Sequence, residues 1–237
     1  MKTTLVDYPG RVAAAVFLPG CHLRCPYCHN PEFVDPLRWA EPLSGRGSAF
    51  NADADDFRAL LGRRAGVLSG VVFSGGEALL HPLLPDLIAL TKEHGLAVKL
   101  DTAGLLPDKL EELTKSESLD FVAMDFKTLP ERYAELGWHE GGNGAADRLR
   151  KTLALLAESG LDREVRTTVV PPLADQEILE EMAGFLEGTA GTGKWIWQPY
   201  IPGETLDPLW GDLAAPSEET LKVWADSMDT SVDIEVR

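Results

Sequence analysis

The stretch Val12 to Leu18 (VAAAVFL), closed by Pro19-Gly20 and followed at once by Cys21, decides how the chain is read. An unbroken apolar run ended by a turn signal describes a strand buried on both faces, as in parallel sheets. Similar runs recur: Val71-Val72-Phe73 before Ser74-Gly75-Gly76, Leu96 to Leu100 (LAVKL) before Asp101-Thr102-Ala103-Gly104, and Phe121 to Phe126 (FVAMDF). Glu164 to Val170 (EVRTTVV, closed by Pro171-Pro172) and Trp195 to Gln198 complete a set of six. Amphipathic stripes lie between them: Phe57, Leu60 and Leu61; Leu84, Leu87, Ile88 and Thr91; Leu149, Leu153 and Leu156; Leu179, Met182, Ala183 and Leu186. Leu221, Trp224, Ala225 and Met228 form a last stripe after Ser217, a candidate N-cap. Strand–helix alternation of this kind predicts an α/β fold with a parallel sheet and outer helices. Six units are too few for the usual eight-stranded closed barrel, so the expectation is an open, partial (β/α)6 TIM-like barrel forming one domain over residues 1–237. The glycine-rich pieces Gly137 to Gly144 and Gly188 to Gly193 read as surface loops, and the tryptophans, Trp195 and Trp197 included, read as core.

In such folds chemistry sits at the C-terminal ends of the strands. The conspicuous residues of this chain fall there: Cys21 after the first strand, Gly75-Gly76-Glu77 after the second, Asp101-Thr102 after the third, Asp125 and Lys127 at the fourth. Arg166 lies on the fifth strand and Gln198 ends the sixth.

Composition narrows the partners. The 237 residues carry 22 Lys+Arg against 38 Asp+Glu, a net charge of −16. Nucleic acid and anionic membranes select clustered basic residues, so neither is expected as a partner. The chain contains no apolar run of about 18 residues, and Met1 to Thr4 leads into no signal-peptide hydrophobic region. A soluble, cytoplasmic protein is the expectation.

The cysteines carry the chemistry. There are three, all within Cys21-x-x-x-Cys25-x-x-Cys28. An odd number cannot pair fully within one chain, and a reducing compartment disfavours disulfides. Three soft thiolates in one tight loop select zinc, Cu(I) or an iron–sulfur cluster. A structural zinc site needs four protein ligands, for which His22 or His29 is the available fourth. A 4Fe–4S cluster on three cysteines instead keeps one iron open for chemistry.

CHLRCPYC (Cys21 to Cys28) resembles the signature of the radical S-adenosylmethionine superfamily. Ser74-Gly75-Gly76-Glu77 is similar to that family's GGE motif. LDTAG (Leu100 to Gly104) and MDFK (Met124 to Lys127) resemble the LDTNG and LDLK of glycyl-radical-enzyme activators. LVDYPGR (Leu5 to Arg11) with CPYCHNPE (Cys25 to Glu32) looks like the longer form of anaerobic ribonucleoside-triphosphate reductase activating proteins.

The resemblance implies one 4Fe–4S cluster on Cys21, Cys25 and Cys28, with S-adenosylmethionine chelating the fourth iron. It implies reductive cleavage to methionine and a 5′-deoxyadenosyl radical. Tyr27 would lie along the adenine, and Gly75, Gly76 and Glu77 would meet the methionyl amino group. Asp101, Thr102 and Asp125 would surround a monovalent cation beside the cofactor carboxylate. Lys127 would contact that carboxylate or a substrate loop, Arg166 the ribose and carboxylate, and Gln198 the adenine region.

Plainer roles stand beside these. Tyr27 is a core aromatic; GGE is a simple turn; Asp101 and Asp125 are N-caps; Lys127 salt-bridges Asp125; Arg166 pairs with an acid. Ala78 replaces the proline common after GGE, and Ala103 the usual Asn. His81, His94 and His139 read as solvated.

The resemblance therefore implies an activase that makes a glycyl radical on a large partner, with anaerobic ribonucleoside-triphosphate reductase expected first and a pyruvate formate-lyase type second. A reduced flavodoxin or ferredoxin is the implied electron donor. With no cysteine beyond the three, auxiliary clusters are not expected. Alternatives are a small-molecule radical enzyme such as a 7-carboxy-7-deazaguanine synthase, and a zinc-binding interaction module.

Overall fold

The computed structural model describes residues 1–34, 54–139, 144–189 and 192–237. Eight strands hydrogen-bond in sequence order, β1 Lys2–Thr4, β2 Ala13–Leu18, β3 Gly70–Gly75, β4 Ala97–Thr102, β5 Phe121–Asp125, β6 Asp162–Val169, β7 Lys194–Pro199 and β8 Asp233–Val236. β1 is antiparallel to β2, whereas β2–β3–β4 and β6–β7–β8 are parallel. The helices between them are α1 Ala54–Arg63, α2 Leu84–Glu93, α3 Pro107–Lys115, α4 Gly144–Glu158, α5 Gln176–Glu187 and α6 Glu218–Ser227. This is an open α/β sheet, as the strand–helix alternation predicts. The six anticipated strands are β2 to β7. β3 and β4 run past their apolar cores to take in Ser74-Gly75 and Asp101-Thr102. Three elements escape the sequence pattern: β1 is three residues long, β8 is half-exposed along its length, and α3 is mostly polar (PDKLEELTK).

The chain divides into two compact units. One holds Met1–Cys21, Glu32–Thr102 and Lys109–Val122; the other holds His22–Pro31, Ala103–Asp108 and Ala123–Arg237. In the first, the strands of β2, β3 and β4 bury nearly every side chain, and α2 closes over them with Leu84, Leu87, Ile88, Leu90 and Thr91 buried. Tyr8 packs edge-on against Phe121 beside Ala13, Val72 and Ala97.

In the second unit, α4 buries Leu149, Leu153 and Leu156, and α5 buries Leu179, Met182, Ala183 and Leu186, the stripes read from periodicity. Ser217 caps α6 by accepting from the Thr220 amide, but only Leu221 of that last stripe is fully buried. Trp195 and Trp197 are core; Trp138, Trp210 and Trp224 are only half-buried, and Trp39 lies outside the described residues. Of the glycine-rich pieces, residues 140–143 and 190–191 also lie outside them. Gly137 is half-buried: at φ 79°, a Cβ there would stand 2.9 Å from the Arg24 Cβ.

A hydroxyl on β6 ties this second core together. Thr167 Oγ1 donates to the Phe126 carbonyl at 2.6 Å and accepts from Trp195 Nε1 at 2.9 Å, all fully buried. Thr167→Val keeps the shape but strands both partners away from water. Its expected cost is about 1–3 kcal/mol, read as a lower urea midpoint at unchanged slope.

Candidate functional site

In the first unit, the chain leaves β2 at Leu18 and reaches Cys21 through Pro19-Gly20. That entry is clamped by backbone on both sides. The Gly20 amide donates to Phe33 O at 2.8 Å and the Cys21 amide to Val34 O at 3.3 Å, while Gly76 N and Glu77 N donate to Leu18 O and Gly20 O at 2.9 and 2.7 Å. A Cβ on Gly76 would stand 2.2 Å from Gly20 O, and one on Gly75, at φ 115°, 2.4 Å from Leu18 N. The two glycines are needed because another stretch of this chain occupies the space, independently of any ligand.

Glu77 is 1% exposed. Its Oε1 accepts from the Leu79 amide at 3.2 Å and its Oε2 from Thr102 Oγ1 at 3.1 Å. The carboxylate therefore caps the short 3-10 turn Ala78–Leu80 and fastens the end of β3 to the end of β4. That cap gives the turn the definition a proline would otherwise supply at Ala78. Asp101 lies one residue earlier on β4. It pairs with Lys99 Nζ at 2.5 Å, a lysine whose side chain is 1% exposed.

The second unit holds the rest of the cysteine loop, His22–Pro31. The Arg24 amide donates to Leu136 O at 2.6 Å, and the Cys28 amide turns back to Cys25 O at 3.0 Å. The segment after β7 grips the same loop: Leu206 N donates to Cys28 O and Asp207 N to Pro26 O, both at 3.0 Å. His29 stacks on Tyr200 with centroids 5.2 Å apart, and its Nδ1 lies 3.2 Å from Glu204 O. Tyr27 is buried, 6.2 Å from the Trp210 ring, so it is a core aromatic whatever else it touches. Burial pushes its phenol well above the ordinary range, against the pull of Lys127.

His22 packs edge-on to Trp138, and neither ring nitrogen has a hydrogen-bond partner among the described residues. Burial, then the charges of Lys127, Arg148 and Arg24, lower its pKa to about 4, so it is neutral at pH 7. Of the histidines read as solvated, His94 and His139 are exposed and His81 is half-buried.

Asp125 ends β5 between two cations. Arg166 on β6 reaches its Oδ1 with Nε and Nη2, each at 2.9 Å, and Lys127 Nζ reaches Oδ2 at 3.3 Å. Burial would raise its pKa; the Arg166 and Lys127 charges and hydrogen bonds outweigh this and hold it at about 2. Burial opposes the Lys127 charge too, but Asp125, then Tyr27, Cys25 and Tyr133, raise its pKa well above the usual amine value. The Lys127 amide donates to the buried Tyr133 hydroxyl at 3.2 Å. Asp125, Lys127, Arg166, Tyr27 and Cys25 thus share one electrostatic neighbourhood, to which sequence reading had not assigned Tyr133. Gln198 is half-buried on β7, opposite Thr168 of β6.

No disulfide engages any of the three cysteines, and Cys25 is the buried one. Among the described residues no three His, Cys, Asp or Glu side chains are gathered into a ready-made metal cage. Of the two histidines beside the loop, His22 faces Trp138 and His29 faces Tyr200 and Glu204. The donor set itself, three thiols on one clamped loop, suits an iron–sulfur cluster.

Three comparisons bear on the chemistry. The family model described as the Radical SAM superfamily matches residues 15–185. A Methanocaldococcus jannaschii protein, provisionally named a glycyl-radical enzyme activating enzyme, is 30% identical over 92% of this chain and 85% of its own length. The pyruvate formate-lyase-activating enzyme of Clostridium pasteurianum is 32% identical over 83% of this chain and 78% of its own. Among solved structures, Streptococcus suis SuiB bound to S-adenosylmethionine superposes with a TM-score of 0.65 over 95% of this chain at 15% identity, a likeness of fold; this chain spans 50% of that one. No described helix is long and apolar enough to cross a membrane.

The Asp125 cluster yields a pH-dependent test. Its carboxyl is depressed on folding, so the stability it contributes is present above the unfolded carboxylate pKa and is lost as pH falls toward about 2. Asp125→Asn should cost on the order of 1–2 kcal/mol at pH 7, allowing for partial exposure. In urea titrations the gap from the unsubstituted protein should narrow from about pH 4 downward.

Proposed function

Because the chain belongs to the radical S-adenosylmethionine superfamily, matched from residue 15 to 185, we propose that it is an activase that installs a glycyl radical on a partner enzyme. The observation that carries the reading is the clamped loop from Cys21 to Cys28, whose three thiols leave one position of a 4Fe–4S cluster for S-adenosylmethionine. Relatives named as activators of glycyl-radical enzymes, aligned along most of this chain, support the choice of substrate. The 237 residues act as one radical S-adenosylmethionine domain.

When bound, the reduced cluster supplies one electron that cleaves S-adenosylmethionine to methionine and an adenosyl radical able to take hydrogen from a glycine Cα. The protein holds and shields. Cys21, Cys25 and Cys28 are the ligands, and Gly75, Gly76 and Glu77 border the methionyl amino group. Opposite that ammonium, Glu77 offers a carboxylate of complementary charge. Asp101 and Thr102 at the end of β4 contribute to the cofactor site. So do Asp125, Lys127 and Arg166 around β5 and β6, with Lys127 and Arg166 suited to the carboxylate. Tyr27 flanks the adenine, and Gln198 borders it.

The partner we favour is an anaerobic ribonucleoside-triphosphate reductase, on the strength of LVDYPGR (Leu5 to Arg11) and CPYCHNPE (Cys25 to Glu32), with reduced flavodoxin or ferredoxin as electron donor.

Anaerobically reconstituted protein should show a brown chromophore that Cys25→Ala abolishes. With reductant, S-adenosylmethionine and the reductase it should produce a glycyl-radical EPR doublet and methionine. A doublet with pyruvate formate-lyase instead would reassign the partner. Turnover of a small pterin-type substrate, with no doublet on any glycyl-radical enzyme, would overturn the activase reading.

A further inference from the structure

Lys99 occupies a position that few lysines tolerate. It lies on β4 opposite Val72 of β3, and its side chain is 1% exposed. Side chains alternate along a strand, so Ala97, Lys99 and Asp101 share one face. The lower part of that face is apolar: Ala97 packs with Tyr8, Ala13 and Val72, and Phe121 flanks them. The Lys99 ammonium stands 5.6 Å over the Phe121 ring and 2.5 Å from Asp101 Oδ1. Burying an ammonium is costly, and swapping a buried ion pair for apolar side chains commonly preserves or raises stability. Fold stability alone gives no reason for a lysine here. What the lysine does is fix the Asp101 carboxylate, 12% exposed, in one orientation at the strand end.

The other acidic member of the proposed cofactor site is treated the same way within its own unit. Asp125 is held by Arg166 and Lys127. Each aspartate therefore already carries a covalently tethered cation from this chain.

We infer that Lys99 is a positioning residue that serves as the built-in counter-ion of Asp101, so that S-adenosylmethionine binding needs no monovalent metal cation. The inference rests on the functional reading above. It departs from the monovalent-cation site that the resemblance implies, because a cation shared by Asp101, Thr102 and Asp125 answers an unbalanced negative charge, and both carboxylates are already balanced.

The test is calorimetric titration of S-adenosylmethionine into the cluster-loaded protein in potassium, sodium and choline chloride at equal ionic strength. The dissociation constant should agree within about twofold across the three salts for the unsubstituted protein, the affinity being the same to within a few tenths of a kcal/mol. Lys99→Met, which keeps the stem and removes the charge, should weaken binding roughly tenfold in choline, the scale of one lost charged hydrogen bond. Potassium should recover part of that loss, and Lys99→Arg should remain indifferent to salt. A merely structural lysine would not create a preference for potassium over choline. Potassium-dependent binding by the unsubstituted protein overturns the inference and leaves the functional reading intact; so does Lys99→Met binding that matches the unsubstituted protein in every salt. Should Lys99→Met fail to fold, the unsubstituted protein's salt series still decides. Absence of S-adenosylmethionine binding in all three salts would overturn the functional reading, and the inference with it.

Discussion

The structure of the first unit turns on a place where backbone meets backbone with no side chain between. Gly75 and Gly76 lie so close to Leu18 and Gly20 that a single methyl group would stand 2.2 to 2.4 Å from main-chain atoms. Backbone cannot give way as the end of a long side chain can, so the contact demands glycine on one side. Everything at the ends of β2, β3 and β4 is arranged from there. The contact sets the Glu77 amide on Gly20 O, Glu77 then reaches Thr102, and Thr102 ends the strand that carries Asp101 and Lys99. A motif easily read as ligand-binding is thus first a packing device that delivers Cys21 from the end of β2.

In the second unit the organising force is electrostatic. A carboxylate between a guanidinium and an ammonium, with two buried phenols nearby, is costly to desolvate and is retained only when its hydrogen bonds are met. The plainer roles considered for Lys127 and Arg166, pairing with an acid, are fulfilled here by Asp125. Those pairings are compatible with ligand contacts, because a guanidinium has five N–H donors and an ammonium three.

Sequence made the sheet legible wherever burial on both faces left a continuous apolar run, as in Val12 to Leu18 or FVAMDF. It failed where that signal is physically absent. Lys2–Thr4 is too short for any period to show, Asp233–Val236 is half-exposed, and Pro107–Lys115 presents mostly charge. The cysteine spacing was legible because ligand chemistry fixes residue type. The grip of Leu206 and Asp207 on the loop was not, because it consists of backbone amides on carbonyls, to which sequence is nearly indifferent. Lys99 was visible in LAVKL as a charge inside an apolar strand, two residues before Asp101 and hence on its face; that spacing was the available signal.

The grip from Leu206 and Asp207 onto Pro26 and Cys28 has a consequence for assembly. Fixing the backbone of a residue costs on the order of 1–2 kcal/mol of conformational entropy, and a loop that stays loose until metal arrives must meet that cost from ligand bonds. Here the backbone around Cys25 and Cys28 is ordered by the folding of its own unit. Ligation of a cluster by Cys25 and Cys28 would then start from backbone that folding has already ordered, so less of the thiolate bond energy would go into shaping that stretch of polypeptide.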